Sequence, residues 1–113
     1  MTNYSKKLES LKETLNELMG KASGIEKFSE FIKVADATGK LDSKTKLLMS
    51  LAIAITVRCE SCIMWYTDAL INSEVTEEEI IETIKIAVVM GGGPALMYGL
   101  KAYEIALEFL GKK

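Results

Sequence analysis

The sequence predicts an all-α domain of about six helices that assembles into a homo-oligomer. Three observations predict it. Apolar residues recur at intervals of three and four through every long segment, the signature of one face of a helix. No run alternates with period two for long enough to propose a strand. The 113 residues, 49% apolar and 27% charged, have the composition of one soluble folded domain spanning 1–113. A chain of this length can bury roughly two-thirds of its unfolded surface without disulfide staples or metals.

The elements follow in order. Tyr4, Leu8, Leu11, Leu15 and Leu18 form the stripe of a first helix, with Lys and Glu on its solvated side and Gly20 and Gly24 around its end. Ile25, Phe28, Phe31, Ile32 and Ala35 form the stripe of a second, stopped near Gly39. Asp42 or Ser43 can cap a third, from about Lys44 to Val57. The run Leu47–Ile55 in that helix is apolar all round, which predicts burial on all sides. A fourth covers about Cys59 to Ser73. Thr76 followed by Glu77, Glu78 and Glu79 has the capping-box pattern and opens a fifth, with Ile80, Ile81, Ile84, Ala87 and Val88 facing inward. Gly91-Gly92-Gly93-Pro94 breaks the chain, and Pro94 suits the first position of a sixth helix. The main stripe there is Leu96, Leu100, Tyr103, Leu107 and Leu110. The third and sixth helices carry more apolar surface than one internal face requires, which points to a second copy of the chain as cover.

Several function classes are excluded by absence. There is no His, so Ser-His-Asp and Cys-His mechanisms, imidazole bases and His-ligated metals are all missing. Two Cys cannot close a structural zinc site within one chain. A net charge of -2 gives no footprint for nucleic acid or an anionic membrane. The longest apolar run, Leu47 to Val57, is too short to span a bilayer. Met1 to Lys7 leads into a charged periodic stretch rather than an apolar core, so no signal peptide and a cytoplasmic location are expected, with thiols reduced at rest. The glycine run lacks the frame of a phosphate-binding loop and reads as punctuation between helices. Nothing in the sequence asks for a cofactor or a metal.

The constellation that can carry chemistry is Cys59-Glu60-Ser61-Cys62. Two Cys at i and i+3 lie on one side of a helix, one turn apart, close enough for a disulfide. At a helix start, free N–H groups and the helix dipole favour a thiolate, and Arg58 adds positive charge. Glu60 opposes them if it points at the sulfurs. Three readings stay open at this point: a redox pair, two inert buried thiols, and a metal site completed by a second copy. Trp65 and Tyr66 can line a pocket beside Cys62 or belong to the core or a subunit interface.

Four blocks then stand in order: Leu41-Asp42-Ser43-Lys44-Thr45-Lys46-Leu47-Leu48-Met49-Ser50-Leu51-Ala52, Arg58-Cys59-Glu60-Ser61-Cys62, Thr76-Glu77-Glu78-Glu79-Ile80, and Gly91-Gly92-Gly93-Pro94-Ala95-Leu96. Together, across about Leu41 to Ala106, they resemble the carboxymuconolactone decarboxylase family, and within it the alkylhydroperoxidase-like branch that carries C-x-x-C. The resemblance implies an all-α fold, a ring-like homo-oligomer, often a trimer or hexamer, and a thiol peroxidase activity. It implies that Cys62 attacks a small-molecule hydroperoxide, that Cys59 resolves the sulfenic acid to a disulfide, and that a thiol reductant restores the pair.

The family pattern places a Glu twelve residues before the first Cys and a His four after the second; here these positions are Leu47 and Tyr66. Tyr66 lies one turn after Cys62 and can donate a hydrogen bond, but with an ordinary pKa near 10 it is a poor base. Glu60, Asp42 and Asp68 are the nearest carboxylates in sequence. The alternative function is a non-catalytic binding or assembly protein on the same fold. The decarboxylation in the family's name needs a placed acid or base titrating near the working pH, and the family's candidates are missing.

Overall fold

The computed structural model describes residues 3–112. Among them are five helices and no strand: α1 (Tyr4–Lys21), α2 (Ile25–Asp36), α3 (Ser43–Thr56), α4 (Glu60–Ile71) and α5 (Glu77–Phe109). Each start has a local cause. The Asn3 side chain accepts from the Lys6 N–H at 3.0 Å, and Asp42 accepts from the Thr45 N–H at 2.7 Å. Thr76 and Glu79 close a full capping box at α5, with the Glu79 N–H donating to Thr76 Oγ1 at 3.1 Å and the Thr76 N–H to Glu79 Oε1 at 2.9 Å. The start of α1 has a tertiary cap as well: the Tyr4 and Ser5 N–H groups donate to the Glu108 carboxylate at 3.1 and 2.8 Å, tying α1 to the end of α5.

The count is five rather than the expected six, because the segments read as a fifth and a sixth helix form one element. Only Gly92 leaves helical geometry within it, at φ 67° and ψ -150°. That region is open essentially to glycine alone. Pro94, which has no N–H to donate, stands two residues further on. The kink folds α5 back on itself: a Cβ on Gly99 would lie 2.8 Å from Ile84 Cγ2, and the Tyr103 hydroxyl and Lys112 Nζ reach the Glu77 carboxylate at 3.3 and 3.2 Å. By length and composition alone α5 could cross a membrane. Its halves pack against each other, so it is not a straight span.

The core lies where α3, α4 and both halves of α5 meet. Leu51, Ile55, Ile63, Leu70, Ile80 and Ile105 are completely enclosed there. Tyr4 and Leu8 of α1 add to one side. α2 buries no residue fully, and its expected stripe is mostly in solvent, with Phe28 and Phe31 each 64% exposed.

Two other expected faces are also corrected. In the second half of α5 the inward residues are Ala95, Gly99, Ala102, Ile105 and Ala106, whereas Leu96, Leu100 and Tyr103 point outward. Small residues face inward because the two halves of α5 and α3 approach too closely for larger ones. α3 is not buried on all sides either: Met49, Ile53 and Val57 are exposed, and beside them on α5 so are Ile81, Ile86, Val89 and Met90. The single chain has no element left to cover that face.

Gly92→Ala should destabilise the chain by about 1–3 kcal/mol, because a Cβ is strained in that backbone region whatever space surrounds it. Chemical denaturation of the two proteins measures the difference; an unchanged midpoint would show that the kink relaxes without cost.

Candidate active site

The site begins at the end of α3. The Arg58 N–H donates to the Ile55 carbonyl at 3.1 Å and the Cys59 N–H to the Ala54 carbonyl at 3.0 Å, the paired bonds of a Schellman stop. This stop requires a left-handed residue, and Arg58 supplies it at φ 61°. The same device ends α5, where Gly111 takes the left-handed place. At Arg58 a residue with a Cβ carries the strain instead, roughly 1–2 kcal/mol. The turn is short and fixed, and it delivers Cys59 directly to the N-cap of α4.

Cys59 and Cys62 form a disulfide, with their Cα atoms 5.2 Å apart. Cys59 Sγ also accepts from the Cys62 N–H at 3.2 Å, so one sulfur serves as the cap of α4. A sulfur in that position is stabilised as a thiolate once the disulfide opens. Both cysteines are half-buried, neither sealed in the core nor fully exposed. A cleft of about 370 Å³ between α1 and the start of α4 runs past the middle of the motif, lined by Lys7, Ser10, Thr14, Glu60, Ser61 and Met64 among others. Among the described residues no three His, Cys, Asp or Glu side chains gather as metal ligands.

The carboxylates near the motif are each occupied. Asp42 caps α3, and Asp68 pairs with Lys12 of α1 at 2.9 Å. Glu60 is held between two lysines: Lys7 of α1 on Oε1, and Lys101 of α5 at 2.7 Å on Oε2. The hydrogen bonds from Lys101 and then Lys7 hold the Glu60 carboxyl below its usual range, and Glu60 in turn raises the Lys101 ammonium. Neither lysine is a sequence neighbour of the motif, so no local pattern could have found them.

Arg58 is exposed at the mouth of the turn. Leu47, where the family pattern has Glu, is buried in the core. Tyr66 is half-buried, close to Ser50 of α3, and feels the charge of Asp36 from the end of α2. Burial first, and then Asp36, push its ionisation above the usual phenol value, against the smaller pull of Ser50. Trp65 packs partly buried against the core, with the Lys12 ammonium 5.6 Å from its ring, so it belongs to the α1–α4 contact. Chemically, the arrangement offers a disulfide that can open to two thiols at a helix start, with cations nearby and no imidazole.

Arg58→Gly should raise stability by about 0.5–1 kcal/mol, since glycine takes the left-handed place without a Cβ clash and offsets part of that gain with its own entropy cost. Urea denaturation of the reduced proteins measures it; a loss of stability would mean that the guanidinium makes a stabilising contact that outweighs the strain.

Comparison with known proteins bears on the same residues. The model of the carboxymuconolactone decarboxylase family matches residues 25–104, more than half of the chain. An uncharacterized protein of Cupriavidus necator is 33% identical over 75 residues, 66% of this chain and 66% of its own, so the match falls just short of two thirds of that relative's length. An uncharacterized protein of the cox locus of Paracoccus denitrificans is 33% identical over 84 residues, covering 74% of this chain and 76% of that one. Among solved structures, the apo form of a carboxymuconolactone decarboxylase family protein from Legionella pneumophila superposes with a TM-score of 0.90 at 34% identity, covering 97% of both chains. A family member from Thermotoga maritima, for which a part in an antioxidative response has been suggested, superposes with a TM-score of 0.82 at 27% identity, covering 95% of this chain and 97% of that one. With α2 to α4, the kink of α5 and the paired cysteines all in the matched region, the chain belongs to the carboxymuconolactone decarboxylase family.

Proposed function

We propose that the chain is a thiol-dependent peroxidase or disulfide oxidoreductase that cycles Cys59 and Cys62 between dithiol and disulfide. One observation carries this reading: the two sulfurs are bonded at the capped start of α4, neither sealed in the core nor fully exposed. A peroxide needs both the reach and the thiolate.

In the reductive half, the Cys62 thiolate attacks one oxygen of the hydroperoxide. The S–O bond forms as the O–O bond breaks, sulfur gives up two electrons, and the departing alkoxide takes a proton from solvent in the cleft. The Cys59 thiolate then attacks the Cys62 sulfur, the S–S bond forms, and hydroxide leaves and is protonated to water. A dithiol reductant returns two electrons and two protons through a mixed disulfide at Cys62. Cys59 suits the leaving role in that exchange, because the Cys62 N–H stabilises its thiolate. Tyr66 remains a neutral phenol at physiological pH, so it serves as a hydrogen-bond donor and not as a base. Arg58 adds positive charge next to Cys59.

The working unit in this reading is a homo-oligomer, a trimer or hexamer, in a reducing, cytoplasmic setting. The support is the bare apolar groove between α3 and the first half of α5, which includes Met49, Ile53, Ile86 and Met90. A chain with no neighbour would leave that groove in water.

The reduced protein should lose two thiols per chain on addition of one equivalent of an organic hydroperoxide. Cys59→Ser should accumulate a sulfenic acid at Cys62 that dimedone traps, and Cys62→Ser should consume no peroxide; the reverse pattern would exchange the two roles. Thiols that persist under peroxide in the folded protein would leave the non-catalytic assembly protein, which Leu47 and Tyr66 in place of Glu and His also favour. Sedimentation velocity should show a multiple of the chain mass, and Ile53→Glu in the groove should release monomer; a monomeric parent at tens of micromolar would remove the oligomer.

A further inference from the structure

Glu60 presents an electrostatic difficulty for the redox reading. It sits between the two cysteines, and a free carboxylate there would oppose every thiolate the site forms. The structure answers with two cations drawn from opposite ends of the chain. Lys7 comes from 53 residues before Glu60 and Lys101 from 41 residues after it, and each takes one carboxylate oxygen. Both lysines also rest on tyrosine rings, Lys7 at 5.6 Å from the centre of Tyr4 and Lys101 at 5.4 Å from that of Tyr98. Each ammonium is therefore held by a carboxylate and a ring at once, on helices that the α1 cap by Glu108 keeps together.

From this geometry we infer that Lys7, Glu60 and Lys101 act as one charged cluster whose net positive sign favours thiolate formation at Cys59 and Cys62, with the Tyr4 and Tyr98 rings holding the two lysines beside the motif and Glu60 offsetting one of their charges. The inference rests on the redox reading of the same site. The three groups sum to one positive charge, where the motif's own sequence supplies a negative one. Arg58, next to Cys59 in the α3–α4 turn, acts in the same sense. One turn further along α4 stands the Tyr66 phenol, which feels the charge of Asp36 from the end of α2.

The sign of the effect separates this role from a structural one. Lys7→Met/Lys101→Met leaves the Glu60 charge unmatched and turns the cluster from positive to negative. Glu60→Gln leaves the lysines and makes it more positive. If the cluster acts through charge, the thiol pKa should rise in the first variant by about one unit and stay the same or fall in the second, taking water-like screening over a helical turn or so. A merely structural clamp would be broken by both variants and would move the pKa in one direction.

The measurement is the thiolate absorbance of the reduced protein against pH, with iodoacetamide alkylation rates at pH 7 as a second readout. Alkylation should slow about tenfold in the double variant, Lys7→Arg/Lys101→Arg should restore the parent value, and 0.5 M salt should shrink the difference. Circular dichroism checks that all variants are folded. Parent thiols that ionise low while both variants move together, or not at all, would overturn the cluster and leave the redox reading standing. Parent thiols that stay protonated to pH 9 would sink the redox reading and this inference with it.

Discussion

The structure depends on the close contact between the end of α3 and the fold in α5. A Cβ on Gly91 would lie 2.6 Å from the Cβ of Ala95 and 3.4 Å from Thr56 Cγ2, so the backbone of the kink presses directly on the last turn of α3. Gly92 makes the reversal possible, and the small inward residues Ala95, Gly99, Ala102 and Ala106 let the returning half pack at short range. The end of α3 is held by this contact. Its Schellman stop then has only Val57 and Arg58 in which to turn the chain, and Cys59 arrives at the start of α4 with its Sγ aimed at the Cys62 N–H. The geometry of the sulfur pair is thus set by packing two elements away.

The electrostatics of the site are assembled in the same indirect way. With no imidazole anywhere in the chain, its means of favouring a thiolate are the free N–H groups of a helix start and fixed cations. The helix start comes from the motif itself. The cations come from α1 and α5, where Lys7 and Lys101 each take one oxygen of the Glu60 carboxylate. α1 buries only Tyr4 and Leu8 fully, so the lysine pair and the Glu108 cap form a substantial part of what ties it to the rest of the chain. The segment that supports the site thus has little core of its own.

The apolar surface left outside follows from the same economy of elements. One face of α3 is spent on α4 and α5, and the inward face of α5 is taken up by its own return. Met49, Ile53, Ile86, Val89 and Met90 therefore line an open groove, while Phe28 and Phe31 of α2 stay in solvent. A soluble domain of this size rarely leaves so much contiguous apolar surface uncovered.

The sequence by itself determined the helical class, the five helix starts to within a residue or two, the capping box at Thr76 and Glu79, and the place of the sulfur pair one turn apart. These are local properties: periodicity, capping side chains and i to i+3 spacing act within a turn or two of backbone, where a linear reading has full view. The tertiary structure alone decided that Gly91 to Pro94 is a fold in one element rather than a gap between two, because helical bonding can continue around a single glycine. It decided that Ala95, Gly99 and Ala102 face inward while Leu96 and Leu100 face out, since close approach between α3 and the halves of α5 selects for small volume over apolarity. It decided that Glu60 is matched by Lys7 and Lys101, a pairing between residues 53 and 41 positions away that depends on where three helices cross and on nothing in the motif.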